Sequence, residues 1–248
     1  MVPRHPRACR VTSRTVAIVQ ARMTSTRLPG KVAMPLAGVP LLLHVVDRAA
    51  RIPGVDAVCV AVPDGPEHKA IPDILAARPE VVVAYGPEHD VLRRYAIAAE
   101  RTGAETVIRI TSDCPMIDPV VSGALLSLYR TTGHRLARTA PERGYPWGYD
   151  TEVFAVELLR TADREATEAY DREHVTPYLW ARPERFPAVF IDRSPDRRSW
   201  HVTVDTPADY AYVSALFDRL YGEDPFFGIA ALERLYAEEP HYLVSRSE

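Results

Sequence analysis

The sequence predicts a three-layer α/β protein: a mostly parallel, twisted, Rossmann-like sheet covered by helices, with an inserted α+β subregion at about 133–200. Three observations carry this reading. Short Val/Ile-rich runs alternate with longer amphipathic stretches up to about residue 132. Those runs are continuously apolar, as strands covered on both faces are. Each is followed by a stretch long enough for a helical crossover, the connection that joins parallel strands with a right-handed turn.

The elements follow in order. Thr15–Gln20 reads as a buried strand, and Ala57–Val62, Glu80–Tyr85 and Glu105–Thr111 as the second to fourth. Pro40–Arg51 is helical, with Leu42, Val45, Val46 and Ala49 on one face. Glu67–Arg78 is a helix interrupted near Pro72. Asp90 caps a helix to Thr102, which Gly103 stops, and Asp118-Pro119 opens another. Leu136–Ala140 and Thr151–Val156 read as strands around a loop, Arg143–Tyr149, rich in Gly, Pro and aromatics. Thr167–Trp180 is predicted helical, Ala188–Asp192 and His201–Asp205 as strands, and Thr206-Pro207 as the cap of a long helix. A last helix within Tyr221–Glu248, carrying Phe226, Phe227, Leu232, Leu235 and Tyr236, packs on the body or on a second subunit.

A length of 248 residues suits one large domain or two small ones. No repeat or Gly/Ser-rich linker divides it, so residues 15–248 are expected to form a single domain behind a basic, disordered tail, 1–14. With 47% hydrophobic and 25% charged residues, chain-wide disorder and collagen are excluded. A net charge of −3 lacks the basic excess of a dedicated nucleic-acid binder. Cys9, Cys59 and Cys114 stand far apart without a CxxC pair, so neither a disulfide framework nor a zinc cluster is expected, and a reducing cytoplasm fits. The longest apolar stretch, Val39–Val46, is too short for a membrane helix, and the N-terminus lacks the apolar segment of a signal peptide.

Ligands of open α/β sheets bind beyond the carboxyl ends of the strands. The loop after the first strand, Gln20–Lys31 (QARMTSTRLPGK), brings Arg22, Arg27 and Lys31 together with the hydroxyls of Thr24, Ser25 and Thr26. Guanidinium forks and an ammonium suit a polyphosphate, and hydroxyls with free backbone N–H groups complete a cradle. The loop is neither a Walker A sequence nor GxGxxG. Asp113 follows the fourth strand and Asp205 ends the run HVTVD, so both are expected at the same edge as the loop, as two hard oxygen ligands for Mg²⁺ beside a triphosphate. Their competing roles are local: Asp113 in the turn before Pro115, and Asp205 as a helix cap, although Thr206-Pro207 with Asp209 already supplies one. Asp118 is read as a cap.

Arg143, Tyr145, Trp147, Tyr149 and Asp150 lie within eight residues and make either an acceptor pocket or an aromatic packing loop. His174 is either an acceptor-side donor or base, or a helix-packing histidine. Arg109 either faces the phosphates or pairs with an acid. No HxH, HExxH or GxSxG occurs, which speaks against a zinc site and a serine triad.

The run Gln20–Lys31 resembles the opening signature of the cytidylyltransferases that activate acidic sugars, the superfamily of the acylneuraminate and 3-deoxy-manno-octulosonate cytidylyltransferases. Within it, the likeness is to the spore-coat polysaccharide, SpsF-type, branch. The resemblance continues at Tyr85–Tyr95, Arg109–Pro115, Tyr145–Phe154, Arg172–Tyr178 and Val204–Pro207, in order over about residues 15–215. It implies the nucleotide-diphospho-sugar transferase form of the fold. It also implies Mg²⁺-dependent transfer from CTP to an acidic sugar or related small anionic acceptor with release of pyrophosphate, by a cytoplasmic homodimer. Nucleotide contacts are implied for Ala21, Arg22, Ser25, Arg27, Lys31, Asp90, Arg94 and Asp113, with Arg22, Lys31, Asp113 and Asp205 as the catalytic group. Cytosine rests on the resemblance; the residues themselves leave the base open. Trp147, Tyr149 and Arg93 replace the Asp, Leu and Asp common in that branch and point to a bulkier, more apolar or more anionic acceptor. Two other readings stand beside it. A glycosyltransferase would need the Asp-x-Asp pair that Ser112-Asp113-Cys114 lacks, and a non-catalytic nucleotide binder would have no need of Arg22, Lys31, Asp113 and Asp205 together.

Overall fold

The structure is a computed structural model describing residues 14–242; of the expected N-terminal tail only Arg14 falls inside that range. The chain begins with β1 (Thr15–Gln20), then a short hairpin of β2 (Pro35–Leu36) and β3 (Val39–Pro40), and helix α1 (Leu41–Ala50). β4 (Ala57–Pro63), α2 (Ala70–Leu75), β5 (Val82–Gly86), α3 (Val91–Thr102), β6 (Thr106–Thr111) and α4 (Pro119–Thr132) complete the first half. β7 (Leu136–Arg138), β8 (Glu152–Ala155), α5 (Val156–Glu165), α6 (Ala169–His174), α7 (Pro177–Trp180), β9 (Ala188–Phe190), α8 (Pro207–Leu220) and α9 (Ile229–Glu238) follow.

Seven strands form one sheet in the order β5-β4-β1-β6-β8-β7-β9. The first four are parallel, and β8 runs antiparallel to both β6 and β7. Residues 133–200, expected as an inserted subregion, add β7, β8 and β9 to this same sheet. The chain steps outward from β1 to β4 and β5, then returns past β1 to lay down β6. That reversal opens a crevice beyond the carboxyl ends of β1 and β6, where such sheets bind ligands.

β1 shows why the protein has three layers. Ala17 and Val19 join the core beneath α1, α4, α8 and α9, whereas Val16 and Ile18 join the core beneath α3, α5 and α7. Both faces are therefore apolar, as the continuous run TVAIVQ requires.

The helix signals in the sequence have physical counterparts. Asp90 Oδ1 accepts the Arg93 N–H at 2.9 Å, and Gly103 ends α3 at φ 63. Asp118 Oδ1 accepts the Val120 N–H at 2.8 Å with Pro119 in the first turn of α4. Thr206 and Asp209 make a reciprocal capping box on α8. Pro72 lies in the first turn of α2, preceded by a 3-10 turn over Pro66–His68, so the helix expected over Glu67–Arg78 is shorter. α9, within the helix expected after Tyr221, buries Leu232, Leu235 and Tyr236 on the body.

Two expectations are corrected. Thr167–Trp180 is two short helices, because Val175 turns the backbone to φ 75, ψ −55 and the Thr176 N–H bonds the His174 carbonyl at 2.9 Å. Thr176 precedes a proline, which disfavours helix at that point. His201–Asp205 buries Val202 and Val204 alternately like a strand, yet makes a single bridge, Trp147 to His201, and is otherwise an extended loop. The Val204 N–H bonds the Asp113 carbonyl at 2.8 Å, so this loop still reaches the sheet edge. Among the described residues no helix is long and apolar enough to cross a membrane.

Candidate active site

The loop after β1 closes on itself. Gly30 takes φ 73, a conformation that glycine reaches without penalty, and its N–H bonds the Met23 carbonyl at 2.8 Å. That turn starts a 3-10 helix over Lys31–Ala33 and sends the Lys31 side chain inward; the residue is 7% exposed. The Lys31 ammonium donates to the Val204 carbonyl at 2.7 Å, to Asp205 Oδ1 at 3.0 Å and lies 3.4 Å from Asp113 Oδ2. Two carboxylates carried by distant segments thus converge on one cation. Asp205 Oδ1 also pairs with Arg27 at 3.0 Å. Burial pushes the Asp113 carboxyl up, but the Lys31 ammonium and the Thr111 hydroxyl outweigh it and hold the group below the ordinary carboxylate range.

A cavity of about 250 Å³ opens beside this cluster. Ala21, Arg22, Ser25, Arg27, Lys31 and Arg94 line it, with Asp113, Asp205 and His174. Arg94 is buried and donates to the Pro87 and Glu88 carbonyls at 2.7 and 3.1 Å; burial pulls its guanidinium down to about 10, which leaves it charged at neutral pH. Arg22 lies 3.8 Å from Glu173. Asp90 does not line the cavity: besides capping α3 it accepts Arg172 Nη2 at 2.5 Å.

A second cavity, about 280 Å³, meets the first at Asp113, Arg109 and His174. Asp150 and Glu152 line it with Arg138, Tyr170 and Trp180. Arg109 and Glu152 face each other across the β6–β8 ladder and pair at 2.9 Å, and the Thr176 hydroxyl donates to the same carboxylate at 2.6 Å. Arg109 therefore both pairs with an acid and borders both cavities. Two larger cavities, about 550 and 600 Å³, lie at the opposite edge, where β6, β7 and β9 begin.

The cluster Arg143–Asp150 does not converge on one pocket. Tyr145 and Tyr149 are buried in the core, Tyr149 at 1% exposure. Arg143 pairs with Asp192 and covers the Phe190 ring. Trp147 is 46% exposed and stacks on His201. Of the five, Asp150 lines the second cavity. The backbone alternates between core and surface here, so closeness in sequence does not become closeness in space. Arg93, the third departure, pairs with Asp163 on the surface.

Asp150 accepts the Gly148 N–H at 3.1 Å, yet burial pushes its carboxyl up to about 6, with Glu152 and Asp113 adding to the rise. The folded state therefore holds this proton more tightly than the unfolded chain. Ionisation costs stability as pH rises from about 4 through about 6, and the deficit is complete above that window. Asp150→Asn removes the charge and can keep the Gly148 contact. In metal-free protein we expect it to unfold at higher denaturant than wild type near pH 7.5, by about 1–2 kcal/mol, with no advantage near pH 4. Equal midpoints at both values would contradict a raised carboxyl.

The cytidylyltransferase family profile matches residues 16–240. The chain is 32% identical over 219 residues to the spore coat polysaccharide biosynthesis protein SpsF of Bacillus subtilis (strain 168), covering 84% of this chain and 88% of that one. It is 37% identical over 125 residues, half of each chain, to the 3-deoxy-manno-octulosonate cytidylyltransferase of Anaeromyxobacter dehalogenans (strain 2CP-C). The solved cytidylyltransferase of Leptospira borgpetersenii serovar Hardjo-bovis (strain JB197) superposes with a TM-score of 0.87 at 25% identity, over 95% of this chain and 99% of that one. A profile match over nearly all the described residues places the chain in the cytidylyltransferase family, as a CTP-dependent nucleotidyltransferase.

Proposed function

We propose that the protein joins CMP to a small acidic sugar or related anionic acceptor in a Mg²⁺-dependent reaction that releases pyrophosphate. The observation that carries the reading is the meeting of two cavities at Asp113, one lined by the cations of the β1 loop and the other by Arg109 and Arg138. The first suits a triphosphate; the second offers guanidiniums to an anionic acceptor. A related protein's name specifies 3-deoxy-manno-octulosonate, an acidic sugar, and this chain is assigned the same class.

Asp113 and Asp205 fit a magnesium ion: they are hard oxygen donors at one point of the sheet edge, where both meet the Lys31 ammonium. When bound, the metal neutralises charge on the phosphate oxygens. The protein's own groups do the rest. Arg22, Arg27 and Lys31 stabilise the charge that develops on the departing pyrophosphate. The acceptor hydroxyl attacks the α-phosphorus in line, a new P–O bond forms as the bond to the β-phosphate oxygen breaks, and the hydroxyl proton leaves to a base. His174 and Asp150, on the walls of the second cavity, are placed to take it. Asp90, through its pair with Arg172, supports the neighbouring wall instead of touching nucleotide. Assembly as a homodimer in the cytoplasm belongs to the same proposal and is supported by the family resemblance.

The test is to compare an acidic sugar acceptor with its carboxamide. The acid is expected to be used with a KM lower by about tenfold or more, the worth of one charged hydrogen bond. Equal KM values would remove the anionic acceptor from the proposal and leave the CTP reaction standing.

A further inference from the structure

The β1 loop is held from outside by two residues that no part of the reaction uses. His68 ends the 3-10 turn after β4 and is 1% exposed. Its Nδ1 accepts the Met23 N–H at 3.2 Å. Glu88 lies between β5 and α3; the Thr24 hydroxyl donates to its Oε1, and its own carbonyl accepts Arg94 Nη1 at 3.1 Å. The Thr24 hydroxyl holds the Glu88 carboxyl below its ordinary range. Strand order brings these loops toward the exit of β1, because β4 is its direct neighbour and β5 lies one strand beyond.

Glu67, His68 and Glu88 bring ligating atoms within 4.8 Å of one another, an arrangement that resembles a metal site. The tautomer argues otherwise. A neutral ring whose Nδ1 accepts an N–H carries its proton on Nε2. Nε2 is buried and faces Glu67 Oε1 at 3.6 Å and Glu88 Oε1 at 3.8 Å, so it presents a proton to the carboxylates rather than a lone pair to a cation. The two carboxylates stand beyond hydrogen-bond reach of Nε2 and act on the ring only as nearby negative charge, so the bond that holds the loop is the one at Nδ1.

We infer that His68, backed by Glu88, is a positioning residue that fixes the phosphate-binding loop through the Met23 amide. Met23 is where the force enters the loop. Its N–H goes to His68 and its carbonyl takes the Gly30 N–H, so one residue anchors the ring of residues 23–30 at its closure, and Lys31 follows directly on Gly30. A shift of Met23 moves the start of the 3-10 turn and with it the ammonium that meets Asp113 and Asp205. The inference rests on the reading of this cavity as the site of triphosphate chemistry.

Two variants separate positioning from bulk. In His68→Asn the amide oxygen stands where Nδ1 was and can take the Met23 N–H. In His68→Gln the amide reaches the Nε2 end and leaves that N–H without an acceptor. Exchange of the Met23 amide, followed by NMR in ligand-free protein, should be slow in wild type and H68N, and about tenfold faster or more in H68Q. Turnover at saturating CTP should follow: H68N within about threefold of wild type, H68Q down by about tenfold or more, at similar thermal midpoints. On a Lys31→Ala background, H68Q should add little further loss, because both act on one group. Met23 exchange that is alike in all three proteins overturns the inference whatever the activity, as does full additivity with Lys31→Ala. A Met23 response in a wild-type protein that fails to use CTP would support the clamp and contradict the proposed reaction.

Discussion

Lys31→Ala is expected to lower kcat by roughly 10²–10³-fold, about 2.7–4 kcal/mol of transition-state stabilisation, the loss seen when one preorganised charge-stabilising group is removed. The geometry adds a second expectation with the opposite sign. In the free protein the Lys31 ammonium already neutralises Asp113 and Asp205. Without it Asp113 loses its paired cation and Asp205 keeps only Arg27, and a divalent cation is attracted more strongly. The variant should therefore be less stable than wild type in chelator, regain more stability on adding Mg²⁺, and still turn over slowly. A variant with lowered kcat and an unchanged response of its thermal midpoint to Mg²⁺ would support a phosphate contact but contradict the shared carboxylate–cation cluster.

Asp205→Asn carries the other large effect. The α8 cap is made by Thr206 and Asp209, so Asp205 is free of that duty and its replacement should leave the helix intact. It does hold Lys31 and Arg27, both at 3.0 Å from the same oxygen. The Mg²⁺ concentration for half-maximal rate should rise by about tenfold to a hundredfold, with kcat reduced as well because two phosphate-facing cations lose their guide. Far-UV circular dichroism should match wild type. Superimposable Mg²⁺ titrations would remove Asp205 from the metal site.

The parts of this account that were legible in the sequence are those governed by short-range chemistry. Asp90, Gly103, Asp118-Pro119 and Thr206-Pro207 act on backbone groups within four residues, so their capping roles follow from spacing alone. The convergence of Asp113 with the β1 loop was legible for a topological reason, because parallel strands end at one edge; Asp205 reaches that edge on an extended loop, tied there by the Val204 N–H to the Asp113 carbonyl. Alternation misled in two places. Val202 and Val204 repeat every second residue because the loop is extended and half-covered, whereas Arg143, Tyr145, Trp147 and Tyr149 share that spacing yet the irregular loop buries Tyr145 and Tyr149 and exposes Arg143 and Trp147. The positive φ at Val175 had only the following Thr176-Pro177 as a sign. The Arg109–Glu152–Thr176 chain depends on the register of an antiparallel pair, and the His68–Met23 bond on a contact across 45 residues. No local signal encodes either.

Pyrophosphate release, measured with Mg²⁺ and each of the four nucleoside triphosphates against a panel of acidic sugars and with the nucleotide product identified by mass, decides whether the protein is the proposed CMP transferase. Pyrophosphate is expected with CTP and an acidic acceptor, in equal amount to a CMP ester, and both should be lost in Asp113→Asn. Release with another triphosphate in place of CTP, or consumption of a nucleotide sugar with no pyrophosphate formed, would contradict the proposal.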